Sequence, residues 1–396
     1  MSDQEVYRRF IDWLRQAWWD LPERDELMPL MMARYTPEEA SLLTGMPFSG
    51  KNLEELAEMK QMDPAELRQR LDALAKKGLV FRSTRGDSIR YRLNDGFFIW
   101  RTAGWHGRTD EVDKAIAPLL NQYYYHGWFD QYNDTNVKGL RALPIGETID
   151  DTRQILPYEE INKVLDSIDY FTVSTCPCKH RKNLDPDMPD CKYPTEVCLH
   201  FGRLGHYIVD NDMGREITRQ ETEEILRQCA EVGLVHAVSN WEEGPDTICN
   251  CCSCCCIFLE AFHKLGHSMS MNPSNYGVHT NPDTCIGCGL CVKRCPMEAI
   301  QLENAPKAKD RITTVIDENK GNKKDLKNKS GKVSVVNPNL CIGCGVCAYK
   351  CPTHSLVLKR REVTQAPPKT EREHVMMVAT DFAAARTKRG QGETKS

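Results

Sequence analysis

The sequence predicts an α+β protein of several domains, and three observations carry that expectation. Its 396 residues suffice for about two to four separate cores. The N-terminal part alternates apolar and charged residues at helical spacing. Nineteen cysteines bunch between Cys176 and Cys351, where sheet and helix patterns alternate. Read in order, the chain divides into a helical region at 1–95, an aromatic-rich helical connector at 96–156, a cysteine-rich α+β module at 157–275, a compact cysteine-run domain at 276–362 and a polar C-terminal tail at 363–396.

Hydrophobic residues make up 40% and charged residues 27%, the composition of a globular protein rather than a disordered or collagen-like one. No stretch reaches the roughly 18 apolar residues of a membrane-spanning helix. Arg8 and Arg9 mimic a twin-arginine signal, but Asp12, Arg15 and Asp20 interrupt the apolar core such a signal needs. The net charge of −4 predicts no general affinity for polyanions. Six cysteines packed into 249–256 would scramble under oxidation, so the expected compartment is a reducing, anaerobic cytoplasm.

Within 1–50, Phe10, Trp13, Leu14 and Trp18 form one stripe, read as a docking helix. Leu53 to Met59 is a short helix. Asp63 then caps a second helix that opens at Pro64, carries Leu67, Leu71 and Leu74, and stops at Gly78. Strands at Leu79–Phe81 and Ile89–Leu93 flank the turn Arg85-Gly86-Asp87. This order resembles a winged helix-turn-helix. Between Lys51 and Arg92 ten Lys/Arg stand against seven Asp/Glu, a weak basic balance for DNA, although Arg82, Arg85, Arg90 and Arg92 cluster on the wing. Protein docking is therefore the favoured role and nucleic acid the lesser one.

The aromatics Trp100, Trp105, Tyr123, Tyr124, Tyr125, Trp128 and Phe129 are read as packing, with a helix from Asp110 to Tyr125. Asn133 to Thr152 reads as a connector, and Pro157 starts a further helix.

Two runs share one spacing: Cys285-x-x-Cys288-x-x-Cys291-x-x-x-Cys295-Pro296 and Cys341-x-x-Cys344-x-x-Cys347-x-x-x-Cys351-Pro352. Thiolates are soft ligands for iron–sulfur clusters. Gly287, Gly289, Gly343 and Gly345 permit the tight loop, and Ile286, Leu290, Ile342 and Val346 would shield the metal. The runs resemble bacterial two-cluster ferredoxins, which implies two 4Fe-4S clusters with crossed ligation. By that resemblance one cluster takes Cys285, Cys288, Cys291 and Cys351, and the other takes Cys341, Cys344, Cys347 and Cys295. The 45 residues between Cys295 and Cys341 exceed the short ferredoxins. The excess, Asp310 to Lys332, holds Lys320, Lys323, Lys324, Lys327, Lys329 and Lys332 and reads as a solvated hairpin or loop.

Upstream, Cys229 lies on a helix from Arg219 to Val232, capped by Thr218 with Glu221 and stopped by Gly233, and counts as a buried apolar residue. Ten cysteines remain as candidate metal ligands: Cys176, Cys178, Cys191, Cys198, Cys249, Cys251, Cys252, Cys254, Cys255 and Cys256. Neighbouring residues point apart on helix or strand, so the last six cannot all face one small ion. One or two further 4Fe-4S clusters are expected. Zinc is the alternative, with Cys176, Cys178, Cys191 and Cys198 as its set and His180 and His200 nearby. The order of these cysteines resembles a module that precedes ferredoxin domains in iron–sulfur proteins of anaerobes, a resemblance that brings no reaction with it. Lys179, His180 and Arg181 form a cationic rim that either binds an anion or offsets cluster charge.

The expected function is single-electron transfer, as a subunit of an oxidoreductase complex with a redox partner protein. Two other readings remain: a reductase with its own active-site cluster, and an iron–sulfur redox-sensing transcriptional regulator. No nucleotide loop, flavin fingerprint or acid/base pair is evident to mark a stand-alone catalyst.

Overall fold

Helix Asp3–Leu14 forms where the first apolar stripe predicts it, with the Glu5 carboxylate accepting from the Ser2 N–H at 2.8 Å, and it buries Tyr7, Phe10, Ile11 and Leu14. This is a computed structural model that describes residues 2–133, 135–151, 155–316 and 321–390. Trp18 departs from the expected stripe. The helix ends at Leu14, and Trp18 lies beyond it with its ring edge-on to Trp19 and Phe382.

Residues 51–93 follow the predicted order. The Asp63 carboxylate accepts from the N–H groups of Ala65 and Glu66 at the start of helix Pro64–Lys76. Gly78 takes φ +78° at its end, a conformation open to glycine. Strands Val80–Arg85 and Ser88–Leu93 pair as a hairpin, and the second strand also pairs with Lys51–Asn52. The arginines here are engaged within the chain. Arg82 meets Asp72 at 3.2 Å and Asp210 at 3.4 Å, Arg90 donates to the Gly50 carbonyl, and Arg92 stacks over Phe81 and Phe98. The Arg85 side chain lies outside the described residues.

Trp100 and Trp105 on helix Gly96–Trp105, Tyr123 at the end of helix Glu111–Tyr123, and Tyr124, Trp128 and Phe129 just beyond it are all buried, as packing predicts. The stretch read as a connector carries strand Leu140–Ala142, because its three residues complete the edge of a sheet; Thr152 lies outside the described residues. That sheet has six antiparallel strands in the order 140–142, 235–239, 247–251, 196–201, 171–175 and 214–217. Helix Arg219–Val232 covers it, capped by Thr218 and ended by Gly233 at φ +92°, with Cys229 1% exposed.

The C-terminal part is a duplication with a 56-residue step, from Cys285 to Cys341 and from Cys295 to Cys351. Tyr276–Thr280 pairs with Leu356–Arg360, and Ile300–Asn304 pairs with Lys332–Val336, so each ladder joins one copy to the other. The long insertion is a hairpin, Ile312–Ile316 against Lys323–Lys327; Lys320 lies outside the described residues. It is anchored by Asn328, which is buried and donates to the carbonyls of Cys285 at 3.0 Å and Lys332 at 2.8 Å.

The expected polar tail needs correction. Glu371–Gly390 is a helix, because Val378, Phe382 and Ala385 recur on one face and bury themselves, with the Phe382 ring against Trp18 and Trp19. Among the described residues, no helix is long and apolar enough to cross a membrane.

Candidate metal centres

Both cysteine loops of the C-terminal part turn on glycines in left-handed backbone: Gly287, Gly289, Gly343 and Gly345 have φ +60°, +76°, +70° and +80°. A Cβ at Gly343 would strike the Ser274 hydroxyl and the Tyr276 carbonyl, and one at Gly287 would strike Ser330 and Lys332 at the equivalent places. The loops thus need glycine to lie against the adjoining strand.

The sulfurs gather as crossed sets. Cys285, Cys288 and Cys291 line one small void with Cys351, the last cysteine of the other run. Cys347 stands among Cys344, Cys295 and Cys341, so the last cysteine of the first run joins the second. Burial pushes the Cys344 thiol up to about 12 and the Cys291 thiol up to about 11. Thiolates so placed need a compensating cation, and two Cys₄ sets in glycine cradles suit iron–sulfur cubes.

Shielding differs between the two sets. Ile342 and Val346 are 2% and 0% exposed, whereas Leu290 is 37% exposed and Cys288 lies at the surface. The set containing Cys344 is therefore the inner one and the set containing Cys288 the outer one. Arg294 fastens the inner side to the upstream module, donating to the carbonyls of Val346, Ala230 and Glu231 at 3.0, 2.8 and 3.1 Å. Cys344 also shares a hydrophobic core with Cys251 and Cys256.

The ten upstream cysteines divide four and six. Cys191, Cys252, Cys254 and Cys255 bring their sulfurs within 4.8 Å of one another. The set of Cys176, Cys178, Cys191 and Cys198 expected for zinc is not formed. Cys191 sits on a loop that reaches the Cys252–Cys255 turn instead, held by a bond from its N–H to the Asn183 side chain. His200 turns its ring nitrogens to Ser174 and Thr247 and neighbours Cys198.

The other six form one connected group, in which Cys198, Cys251 and Cys256 are buried and Cys176, Cys178 and Cys249 half-buried. Cys198 neighbours Cys249, Cys249 neighbours Cys251, Cys251 neighbours Cys256, Cys256 neighbours Cys178, and Cys178 neighbours Cys176. Burial opposes ionisation of Cys256, yet bonds from Cys178 and Cys251 bring it down to about 5. Strands 196–201 and 247–251 and the starts of helices Pro177–Asn183 and Ile257–Lys264 supply these thiols.

All six, together with Cys252, line a cavity of about 1170 Å³, which is large enough for a substrate or cofactor. Its remaining walls are aromatic and mixed in charge, including Trp18, Phe97, Trp100, Arg92, Arg101 and Asp246. Sequence reasoning missed Trp18 and Arg101 as lining residues, since only the fold brings the N-terminal region over the sheet.

The cationic rim turns inward. Lys179 is 1% exposed, its ammonium donates to the Pro194 carbonyl at 2.7 Å, and the sulfurs of Cys176, Cys252, Cys229 and Cys191 lie around it. Burial works against its charge, but those thiols hold its pKa above the ordinary lysine value. Arg181 and Lys182 are spent on Glu260 at 2.9 and 2.8 Å. Charge compensation is thus the arrangement on this rim.

Residues 284–355 match the family model for a 4Fe-4S dicluster domain. Over 70 residues the chain is 33% identical to ferredoxin-3 of a Nostoc species, covering 18% of this chain and 64% of that protein. Over 83 residues it is 30% identical to the pyruvate-flavodoxin oxidoreductase of Rhodospirillum rubrum, covering 21% of this chain and 7% of that one. A stretch of 32 residues is 59% identical to ABC transporter E family member 1 of Arabidopsis thaliana, 8% of this chain and 5% of the relative. The chain spans less than two thirds of each of these curated relatives. No solved structure matches. The C-terminal part is a ferredoxin-like 4Fe-4S domain.

Proposed function

We propose that the chain is a reductase module in which electrons enter at the outer set (Cys285, Cys288, Cys291, Cys351), pass the inner set (Cys341, Cys344, Cys347, Cys295) and end at a third iron–sulfur centre on the cavity wall. Four of the six thiols Cys176, Cys178, Cys198, Cys249, Cys251 and Cys256 would hold that centre. The observation that carries this reading is the six-thiol group opening onto the 1170 Å³ cavity: a site that only relays electrons needs no room for a small molecule. Bound clusters supply one-electron transfer. The chain's own contribution is to hold them in line, exclude water from the inner set, and seat an acceptor among Trp18, Phe97, Trp100 and Arg101.

The exposed Cys288 end would meet an external redox protein of the reducing cytoplasm. Sequence alone favoured a subunit of a larger complex as the destination of the electrons, and the cavity shifts the balance toward an acceptor bound in this chain. The winged-helix-like region at 51–93 is read as a docking element rather than a DNA reader, because Arg82, Arg90 and Arg92 are engaged inside the chain.

The test is anaerobic reduction followed by challenge with small-molecule acceptors. Reoxidation without a second protein, abolished by Cys178→Ser or Cys256→Ser, is expected together with about twelve irons per chain, four per cube. About eight irons, and reoxidation only by another protein, would return the chain to the role of a relay subunit.

A further inference from the structure

The other four upstream thiols, of which Cys252 alone also touches the cavity wall, have a spacing of their own. The sulfurs of Cys191 and Cys252 are 3.9 Å apart, those of Cys191 and Cys254 4.0 Å, and those of Cys254 and Cys255 3.5 Å. Four sulfurs bound to one tetrahedral ion at about 2.3 Å lie about 3.8 Å from each other. A cube spreads its thiolates wider, because an iron stands between each sulfur and the centre. Among the described residues this is the sole group of three or more sulfur, imidazole or carboxylate ligands gathered so tightly. None of the six cavity thiols joins it.

We propose that Cys191, Cys252, Cys254 and Cys255 bind a single zinc ion, separate from every iron–sulfur cluster. Four thiolates close the coordination sphere, which is the pattern of a structural site with no open position for a substrate. The turn makes this possible: the Cys256 N–H donates to the Cys252 carbonyl at 3.1 Å, folding three adjacent thiols toward Cys191. Zinc with four thiolates carries a net charge of −2, and the buried Lys179 ammonium beside Cys252 and Cys191 offsets part of it. The ion would clasp the loop before Pro194 onto the turn whose next residue, Cys256, faces the cavity. It therefore fixes the position of the cavity thiols without taking part in electron transfer.

The test uses the full chain purified without oxygen. One zinc per chain that resists dialysis against a chelator is expected, with four sulfur neighbours in its X-ray absorption spectrum. Cys254→Ser, at the exposed corner of the site, should lower zinc retention at least tenfold while leaving the iron content and the reduced ferredoxin-type signal unchanged. Should that variant fold poorly, growth of the unaltered chain on cobalt should give the tetrahedral cobalt–thiolate spectrum. Iron in place of zinc, seen as a high-spin ferric signal on oxidation, overturns the proposal, as does loss of a cube's worth of iron in Cys254→Ser. These readouts are independent of whether any acceptor is reduced.

Discussion

The Ser274 hydroxyl donates to the carbonyl of Gly343 at 2.8 Å, and one repeat later Ser330 does the same to Gly287 at 3.1 Å. In each copy a serine just before the strand that leads into one cysteine loop clamps the first glycine of the other copy's loop, and that glycine has no room for a Cβ. Gly343→Ala must therefore break the clamp and strain a backbone at φ +70°. We expect it to remove the inner cluster while Gly287→Ala removes the outer one. Each variant should lose about four irons and show the simple spectrum of one isolated reduced cube instead of two interacting ones. Equal loss of both clusters in both variants would refute independent loops.

Lys179 offers a second prediction. Its ammonium lies buried among thiols of both upstream sets, so its removal leaves their negative charge uncompensated. Lys179→Met should make the upstream centre harder to reduce, by on the order of 2 kcal/mol for a unit charge about 8 Å away at an effective dielectric near 20. Redox titration followed by electron paramagnetic resonance checks this. The two ferredoxin-type clusters should keep their potentials, since Lys179 has none of their cysteines among its neighbouring thiols.

Much of this architecture was legible in the sequence wherever the signal is local. The Asp63-Pro64 helix start, the Thr218 cap and the matched cysteine runs each depend on residues within a few positions of one another, and each stands where its pattern puts it. The division of the ten upstream thiols was not legible. Cys191 joins Cys252 across 61 positions, and which of six clustered cysteines turns which way depends on a single tight turn and a strand register. The C-terminal helix escaped notice for another reason: its buried face is only Val378, Phe382 and Ala385 amid charged residues. Trp18 and Phe382 meet only once the whole chain is assembled.

The outer cluster should be the entry point for electrons. Leu290 and Val292, each 37% exposed, flank the exposed Cys288, and the lysine-bearing hairpin at 312–327 stands next to that loop through Thr313, which donates to the Thr284 carbonyl at 3.0 Å. Leu290→Asp should slow reduction by an acidic protein donor about tenfold, equivalent to about 1.4 kcal/mol, while reduction by dithionite stays unchanged. Stopped-flow absorbance separates the two. Equal slowing with both reductants would mean damage to the cluster rather than to docking.

Glu260 governs how the thiol-bearing helices meet. It is 0% exposed and accepts from Arg181 at 2.9 Å and from Lys182 and Lys264 at 2.8 Å. Arg181 and Lys182 belong to the helix that carries Cys178, and Glu260 follows Cys256 by one helical turn, so this network sets the distance between two cavity thiols. Burial alone would raise the Glu260 pKa, but Arg181, Lys182 and Lys264 together hold it below the ordinary carboxylate value. A depressed carboxylate contributes its full stability above its unfolded pKa of about 4.3 and loses it as the pH falls through the lower folded value. Between pH 6 and 8 the contribution is therefore constant. Glu260→Gln leaves two buried cations short of a counter-charge and should cost about 3–5 kcal/mol throughout that range, read as a drop in the unfolding midpoint in urea. The gap from the unaltered chain should narrow only below about pH 4.3. A gap that instead shrank between pH 6 and 8 would show that the carboxylate is protonated in the folded chain and that the network does not work as an ion pair.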